Sequence, residues 1–261
     1  MAIKDQFLHL YLNEMPMGLL RLAAGGKLSF VYDTAYLGNS GAVPLSLSMP
    51  LVPRQYTHEI IHPWLWGLLP DNELVLARWA QRFQVSPNNC FGLLAGMGED
   101  CAGAIRFIQP ENLDKFADGG KELLRESDIE KRLEDLRKDP SLSREPSDRG
   151  QFSLAGAQSK TALQRRGDKW YVPWGREPTT HILKPPRPDI DGHVENEHFC
   201  LRLAAELGLS VARSEVLHFG KEAAIVVERY DRVIMNRKLT RVHQEDTCQA
   251  LSIHPSKKYQ N

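Results

Sequence analysis

The sequence predicts an α+β protein built as two consecutive modules, and three observations carry that prediction. Apolar and polar residues alternate over 7–12 and 17–22, the period of half-buried strands. Further short strand-like runs follow residue 160, interrupted by a helical pattern over 196–208. Between the two groups, residues 111–149 turn charged and poor in aromatics and end in SLSREPSDRG. The expected division is an α+β subdomain over 1–110, a charged helix and linker over 111–149, and a second module over 150–261.

Asn13 and Glu14 form the turn between the first two strands, and Lys27–Tyr32 supplies a third. The run PLSLSMPL, Pro44–Leu51, alternates apolar and hydroxyl residues, but its prolines predict an edge or an extended segment. Helices are predicted over Pro63–Leu69 and Glu73–Phe83, the second with Leu74, Ala77, Trp79, Ala80 and Phe83 facing inward. Cys101–Ile108 closes the subdomain as a strand. Glu122–Lys138 reads as an exposed helix docking Leu123, Leu133 and Leu136, with a linker at Pro140 and Pro146. In the second module, Thr161–Gln164 and Trp170–Val172 flank a turn at Arg166, Gly167 and Asp168, and His181–Lys184 is the third strand. Asn196 is the expected cap of a helix ending at Gly208, with Phe199, Leu203 and Leu207 on its inner stripe. Ser214–Phe219 and Ala223–Glu228 form a hairpin about Gly220, and Gln244–Leu251 begins another helix.

Composition narrows the function classes. With 42% hydrophobic and 25% charged residues, the chain has apolar content for a core in a soluble protein. Formal charge is zero, so no bulk positive field draws it to nucleic acid. No apolar run reaches membrane-spanning length, and the N-terminus lacks the basic and apolar stretches of a secretion signal. Cys90, Cys101, Cys200 and Cys248 are scattered without metal-ligand pairing, which suits a reducing cytosol. A cytoplasmic protein without a membrane partner is expected.

The chemistry concentrates in SLAGAQSKTAL, Ser153–Leu163, and the later THILKP, Thr180–Pro185. Small residues at Ala155, Gly156 and Ala157 let backbone N–H groups approach phosphates. Lys184, ending a neighbouring strand, can place a fixed positive charge on them, and Glu197 on the following helix can form the ion pair that positions such a lysine in protein kinases. The apolar strand Ala223–Val227 then runs into Glu228, Arg229, Tyr230 and Asp231, where a hinge can offer backbone groups to adenine, with Asp231 near the ribose. Each signal has a plainer reading: a glycine turn, a solvated strand end, an acid complementing a helix dipole, a polar turn. Their order argues for a nucleotide site of the kinase kind. A P-loop is disfavoured, because Ser159 stands where glycine must precede Lys160, and Leu154 where the first glycine must be.

His58–His62 reads HEIIH, a literal zinc-protease motif. Pro63 follows directly; its ring clashes with the Glu59 carbonyl in a regular helix, so the two imidazoles are not expected to share a face. No third ligand follows, and a zinc hydrolase using His58 and His62 ranks last among the readings; no metal site is expected in the chain. His193 and His198 read as polar residues at a helix start, and Trp64, Trp66 and Trp79 as core or a docking surface.

Beyond single motifs, the chain resembles the HipA-type serine/threonine kinases, the toxin components of bacterial toxin–antitoxin pairs. PLSLSMPL, GLLPDN (Gly67–Asn72) and GEDCAGAI (Gly98–Ile105) are similar to that family's N-terminal subdomain. FSLAGAQSKTAL, TTHILKP, ENEHFCLRLAAELGL, VVERYDR and QEDTCQAL are similar to its protein-kinase-like N-lobe. The resemblance implies an ATP-phosphate loop of Ala155, Gly156, Ala157, Gln158, Ser159 and Lys160, with Lys184 on the phosphates, Glu197 as its ion-pair partner, and Glu228, Arg229 and Tyr230 as the adenine hinge. Ser153 takes the place of the autophosphorylated serine, whose modification favours an ejected loop and lowers activity; a phosphate adds about two negative charges there. ATP and Mg2+ are the implied cofactors. The implied substrate is an aminoacyl-tRNA synthetase, whose phosphorylation arrests growth and promotes persistence. The implied partner is a helix-turn-helix antitoxin of the HipB type, with operator DNA reached only through it.

Family members continue into a helical C-lobe bearing the catalytic aspartate, an asparagine and the metal-binding aspartate. That lobe is expected to be absent here, with no catalytic residue in the chain and the base and metal carboxylates beyond Asn261. Loss of a general base alone costs about 10²–10⁴-fold, so the chain by itself is expected to be inactive. The alternative from another class is a non-catalytic module that contacts an antitoxin or a separate catalytic half.

Overall fold

The computed structural model describes residues 4–115, 118–145 and 147–258. The chain forms two compact units, Met1–Asp118 with Gln151–Ala157 and Thr240–Asn261, and Gly119–Gly150 with Gln158–Leu239.

The first unit is built on an antiparallel sheet of β1 (Gln6–Leu12), β2 (Met15–Leu22), β3 (Leu28–Tyr32) and β4 (Ile105–Ile108), in the order β3-β2-β1-β4. The first hairpin turns at Asn13, whose φ of +55° asparagine tolerates better than most residues. Four helices follow β3: α1 (Thr34–Leu37), α2 (His58–Trp66), α3 (Glu73–Phe83) and α4 (Cys90–Met97). Leu8, Leu10 and Leu20 from the sheet share one core with Trp64 and Leu65 of α2, Trp79 of α3, and Leu93 and Leu94 of α4. Asn72 caps α3, its Oδ1 accepting from the N–H groups of Leu74 and Val75 at 3.0 and 3.3 Å.

Several expectations for this unit change. PLSLSMPL is a tight turn, not an extended edge: Met49 N–H donates to Ser46 O, and the Tyr32 hydroxyl donates to Met49 O while accepting from Leu45 N–H. Prolines at both ends deny this run a ladder. The helix expected from Pro63 already starts at His58 and carries Pro63 inside it, with Ile61, Trp64 and Leu65 buried on both sides of the proline. Leu74 faces solvent on α3, while Val75 and Leu76 are buried in its place. Cys101 makes an isolated bridge, so the closing strand is only Ile105–Ile108. The helix α4 was not foreseen, because CFGLLAGM is buried on nearly every side and shows no polar face to set a period.

The second unit holds a six-stranded antiparallel sheet, ordered β5-β7-β6-β8-β10-β9. Its elements are β5 (Gly119–Leu124), α5 (Glu126–Lys138), β6 (Thr161–Arg166), β7 (Lys169–Gly175), β8 (His181–Lys184), α6 (His193–Glu206), β9 (Ser214–Phe219) and β10 (Glu222–Glu228). The hairpin about Gly220 forms as expected, with Glu222↔Phe219 as its first pair. A two-stranded sheet follows in the chain, β11 (Arg232–Met235) with β12 (Lys238–Arg241), and back in the first unit the helix expected over Gln244–Leu251 shortens to α7 (Thr247–Ala250), capped by Asp246.

The stretch expected as helix and linker contributes a strand to this sheet. Gly119–Leu124 pairs with β7, from Gly119↔Gly175 to Leu124↔Trp170, leaving Leu123 exposed while Ile129, Leu133 and Leu136 of α5 are buried. Ser143 and Arg144 are buried too, and Pro146 lies outside the described residues. On α6 the cap is Gly192 at φ +63°, not Asn196, and the expected inner stripe faces outward: Phe199, Leu203 and Leu207 are 63%, 48% and 71% exposed. Val194 is buried instead. Spacing defines a stripe without saying which side meets the sheet.

Candidate nucleotide site

β8 lies inside the second sheet, with Leu183 opposite Thr161 of β6 and Lys184 opposite Ile225 of β10. Leu183 is fully buried, and strand alternation turns Lys184 to the opposite face. There its Nζ meets Glu197 Oε1 at 2.5 Å, with the two side chains 20% and 26% exposed. Two contacts hold α6 so that Glu197 points inward: Val194 is buried, and His198 Nδ1 lies 2.9 Å from Ser214 Oγ on β9. The sequence-predicted lysine–glutamate pair is therefore formed.

The end of β10 is fixed by backbone bonds, Glu228 N–H to Arg213 O and Arg229 N–H to Thr180 O, both at 2.9 Å. Tyr230 is 70% exposed. Asp231, expected beside a ribose, is buried in an ion-pair network. Its carboxylate takes Arg229 Nε and Nη2 at 3.0 and 2.7 Å and lies 3.0 Å from Arg232 Nη1. Arg229 Nη1 also donates to Thr179 Oγ1, and Arg232 Nε to Thr179 O. Asp231→Ala leaves two buried guanidinium groups without their carboxylate and is expected to lower stability by about 3–5 kcal/mol, read from urea unfolding. A change below 1 kcal/mol or so would show that the network carries little.

The loop residues divide between the units: Ser153–Ala157 belong to the first, and Gln158, Ser159 and Lys160 lead into β6 in the second. Ser153 is completely buried, its Oγ donating to Leu68 O at 2.7 Å and its N–H to Asp100 O at 3.1 Å. Gly156 has φ +102°, a backbone conformation that an L side chain resists, so glycine is required there for the turn.

The HEIIH motif behaves differently from expectation. Because α2 continues through Pro63, the His58 and His62 rings do share a face, 4.6 Å between centroids. His254, which the sequence did not single out, stacks on His62 at 5.9 Å. One nitrogen of each ring is taken: His58 Nδ1 accepts from Leu28 N–H, His62 Nε2 from the Trp66 indole, and His254 Nδ1 from Ser256 N–H. Glu59 pairs with Lys27. The His58 and His62 rings are tilted 33° to one another, and no group of His, Cys, Asp or Glu among the described residues could hold a metal ion.

Burial, reinforced by His58 and His254, pushes His62 down to about 4 from 6.5. The unfolded chain thus binds this proton more readily, so the His62 contribution is complete above pH 6.5 and is lost as pH falls toward 4. His62→Gln is expected to flatten the acid limb of a stability–pH profile measured by urea unfolding.

Comparison with known proteins supplies the class. A family model described as the HipA N-terminal domain matches residues 8–108, and one described as the HipA-like C-terminal domain matches residues 152–261. The Sinorhizobium fredii protein "Putative kinase Y4mE" is 38% identical over 239 residues, 90% of this chain and 56% of its own length. The serine/threonine-protein kinase toxin HipA of Shewanella oneidensis is 32% identical over 259 residues, 98% of this chain and 58% of that protein. A solved chain from the Shewanella oneidensis toxin–antitoxin complex of HipA, HipB and operator DNA superposes with a TM-score of 0.78 at 30% identity, covering 97% of this chain and 57% of that one. Kinase-type toxins are thus the class to which fold and sequence point. The chain belongs to the HipA family. It spans somewhat more than half the length of these relatives. No helix among the described residues is long and apolar enough to cross a membrane.

Proposed function

We propose that the chain carries the nucleotide-binding part of a HipA-type serine/threonine kinase toxin. The six-stranded sheet with α6 is read as a protein-kinase-like N-lobe, and the Lys184–Glu197 pair at 2.5 Å is the observation that carries the reading. Glu197 holds the ammonium group at the strand end, where it can place a point charge on ATP phosphates. In this reading, which rests on the family resemblance, Ala155, Gly156, Ala157, Gln158, Ser159 and Lys160 would be the phosphate loop, and the left-handed Gly156 shapes its turn. Glu228, Arg229 and Tyr230 present the hinge edge to adenine, with Asp231 clamping Arg229 from behind.

Bound ATP would supply the transferable phosphoryl group, with Mg2+ held by carboxylates not found as a group among the described residues. The general base is likewise unassigned here, and this chain alone is read as binding nucleotide without transferring phosphate. An aminoacyl-tRNA synthetase as target, growth arrest as outcome, a cytoplasmic setting and a HipB-type antitoxin as partner complete the proposal. The presence of HipB and operator DNA in the Shewanella oneidensis complex supports that partner; in this reading DNA would be met only through the antitoxin.

Titration calorimetry with a non-hydrolysable ATP analogue tests this. Saturable binding to one site is expected; no heat and no thermal shift at millimolar analogue would sink the nucleotide assignment. The exposed Phe199, Leu203 and Leu207 favour a second reading, a non-catalytic module docking a partner through α6. Capture of a HipB-type antitoxin by a chain that binds no nucleotide would select it.

A further inference from the structure

The first unit contains an open groove of about 690 Å3, within the usual span of ligand sites. Trp66, Leu76, Pro87 and Pro255 give it apolar walls, and prolines bring no N–H donors of their own. Asp71 and Glu73 are its only formally charged lining residues among those described. Lys258, which feels the charge of Asp71, has its Nζ bound to Asp246 Oδ2 at 3.0 Å. His254, also in the lining, is held below its ordinary pKa by burial and by Lys257, so it adds no positive charge near neutrality.

Two features exclude an anionic occupant. The carboxylates repel phosphate, and the N-terminal amides of α3 that would attract it are already capped by Asn72. The groove is therefore not a second triphosphate site, although Ala157 borders it. Trp66 spends its indole N–H on His62, so an occupant meets it through the ring. Rings and aliphatic walls beside two carboxylates match a long side chain with an apolar stem and a cationic head.

We propose that this groove binds a cationic–apolar peptide segment of a partner protein, an arginine or lysine head against Asp71 and Glu73 and an apolar neighbour against Trp66 and Leu76. Charge complementarity selects this occupant over a nucleotide or an acidic peptide. Nothing in the proposal depends on nucleotide binding, and the two can fail separately.

The test uses dansyl-labelled peptides of alternating leucine and arginine, their glutamate counterparts, and free arginine amide, followed by fluorescence anisotropy. The arginine peptide is expected to saturate, and the double variant Asp71→Asn, Glu73→Gln to weaken it by about tenfold or more. That variant should keep the parent's Tm and its affinity for the ATP analogue, because both carboxylates are exposed. Equal binding of the glutamate peptide, unchanged affinity in the double variant, or no binding at all would overturn the proposal. Arginine amide binding as tightly as the peptide would overturn it too, by making the groove a site for free amines.

Discussion

Lys184→Ala is expected to weaken binding of the ATP analogue by ~10–100-fold, since a charge-assisted hydrogen bond contributes about 1.5–3 kcal/mol. Phosphoryl transfer, in a preparation that shows it, should fall by ~10²–10³-fold, the usual loss on removing one electrostatic stabiliser. Stability should hardly move. Both members of the Lys184–Glu197 pair are partly solvated, and such pairs are worth about 0–1 kcal/mol. Glu197→Gln should weaken binding less than Lys184→Ala, because the lysine keeps its charge and loses only its orientation. A double-mutant cycle then shows coupling between the two positions. Lys184→Arg is not expected to rescue, since the planar guanidinium cannot replace a compact ammonium at a strand end. Calorimetry that finds wild-type affinity in Lys184→Ala would break the link between this pair and the nucleotide.

What could be read in advance divides by whether the signal is local. Lys184 and Glu197 were legible because one ends an apolar strand, the other lies early in the next helix, and each element has its own period. The hairpin about Gly220 was legible for the same reason, and its turn takes φ +57°. By contrast, β5 becomes a strand because β7 offers it a partner, not because GGKELL favours one. The outward turn of Phe199, Leu203 and Leu207 also lay beyond the pattern, since spacing alone does not reveal which face the sheet takes. The Arg229–Asp231–Thr179 network and the His62–His254 stack join residues far apart in the chain, and no periodicity announces them. At Pro63 a correct local rule met a stronger tertiary one. The buried Ile61, Trp64 and Leu65 keep α2 continuous across the missing hydrogen bond.

Ser153→Glu should expel the segment 151–157 from its seat. Ser153 has no solvent exposure, lies between the buried Phe152 and Leu154, and is tied on both sides by its bonds to Leu68 and Asp100. A carboxylate there must either lose its water, at a cost of several kcal/mol, or carry its backbone outward. Moving a short segment outward sacrifices a few hydrogen bonds and the burial of two apolar side chains, so expulsion is the cheaper response. Hydrogen exchange should then show loss of protection at the Ser153 amide while the strands β1, β2 and β4 keep theirs. Ser153→Ala separates charge from the lost bond: it strands the Leu68 carbonyl, costs about 1–3 kcal/mol, and leaves the segment in place. Phosphorylation of the hydroxyl would impose the same choice more strongly, with about two charges instead of one. Because Ala155, Gly156 and Ala157 follow directly in the chain, expulsion would carry the proposed phosphate loop with it, and ATP-analogue affinity should fall in Ser153→Glu but not in Ser153→Ala. Full amide protection in Ser153→Glu would mean that the buried seat tolerates charge, and a link between modification and nucleotide binding would need another origin.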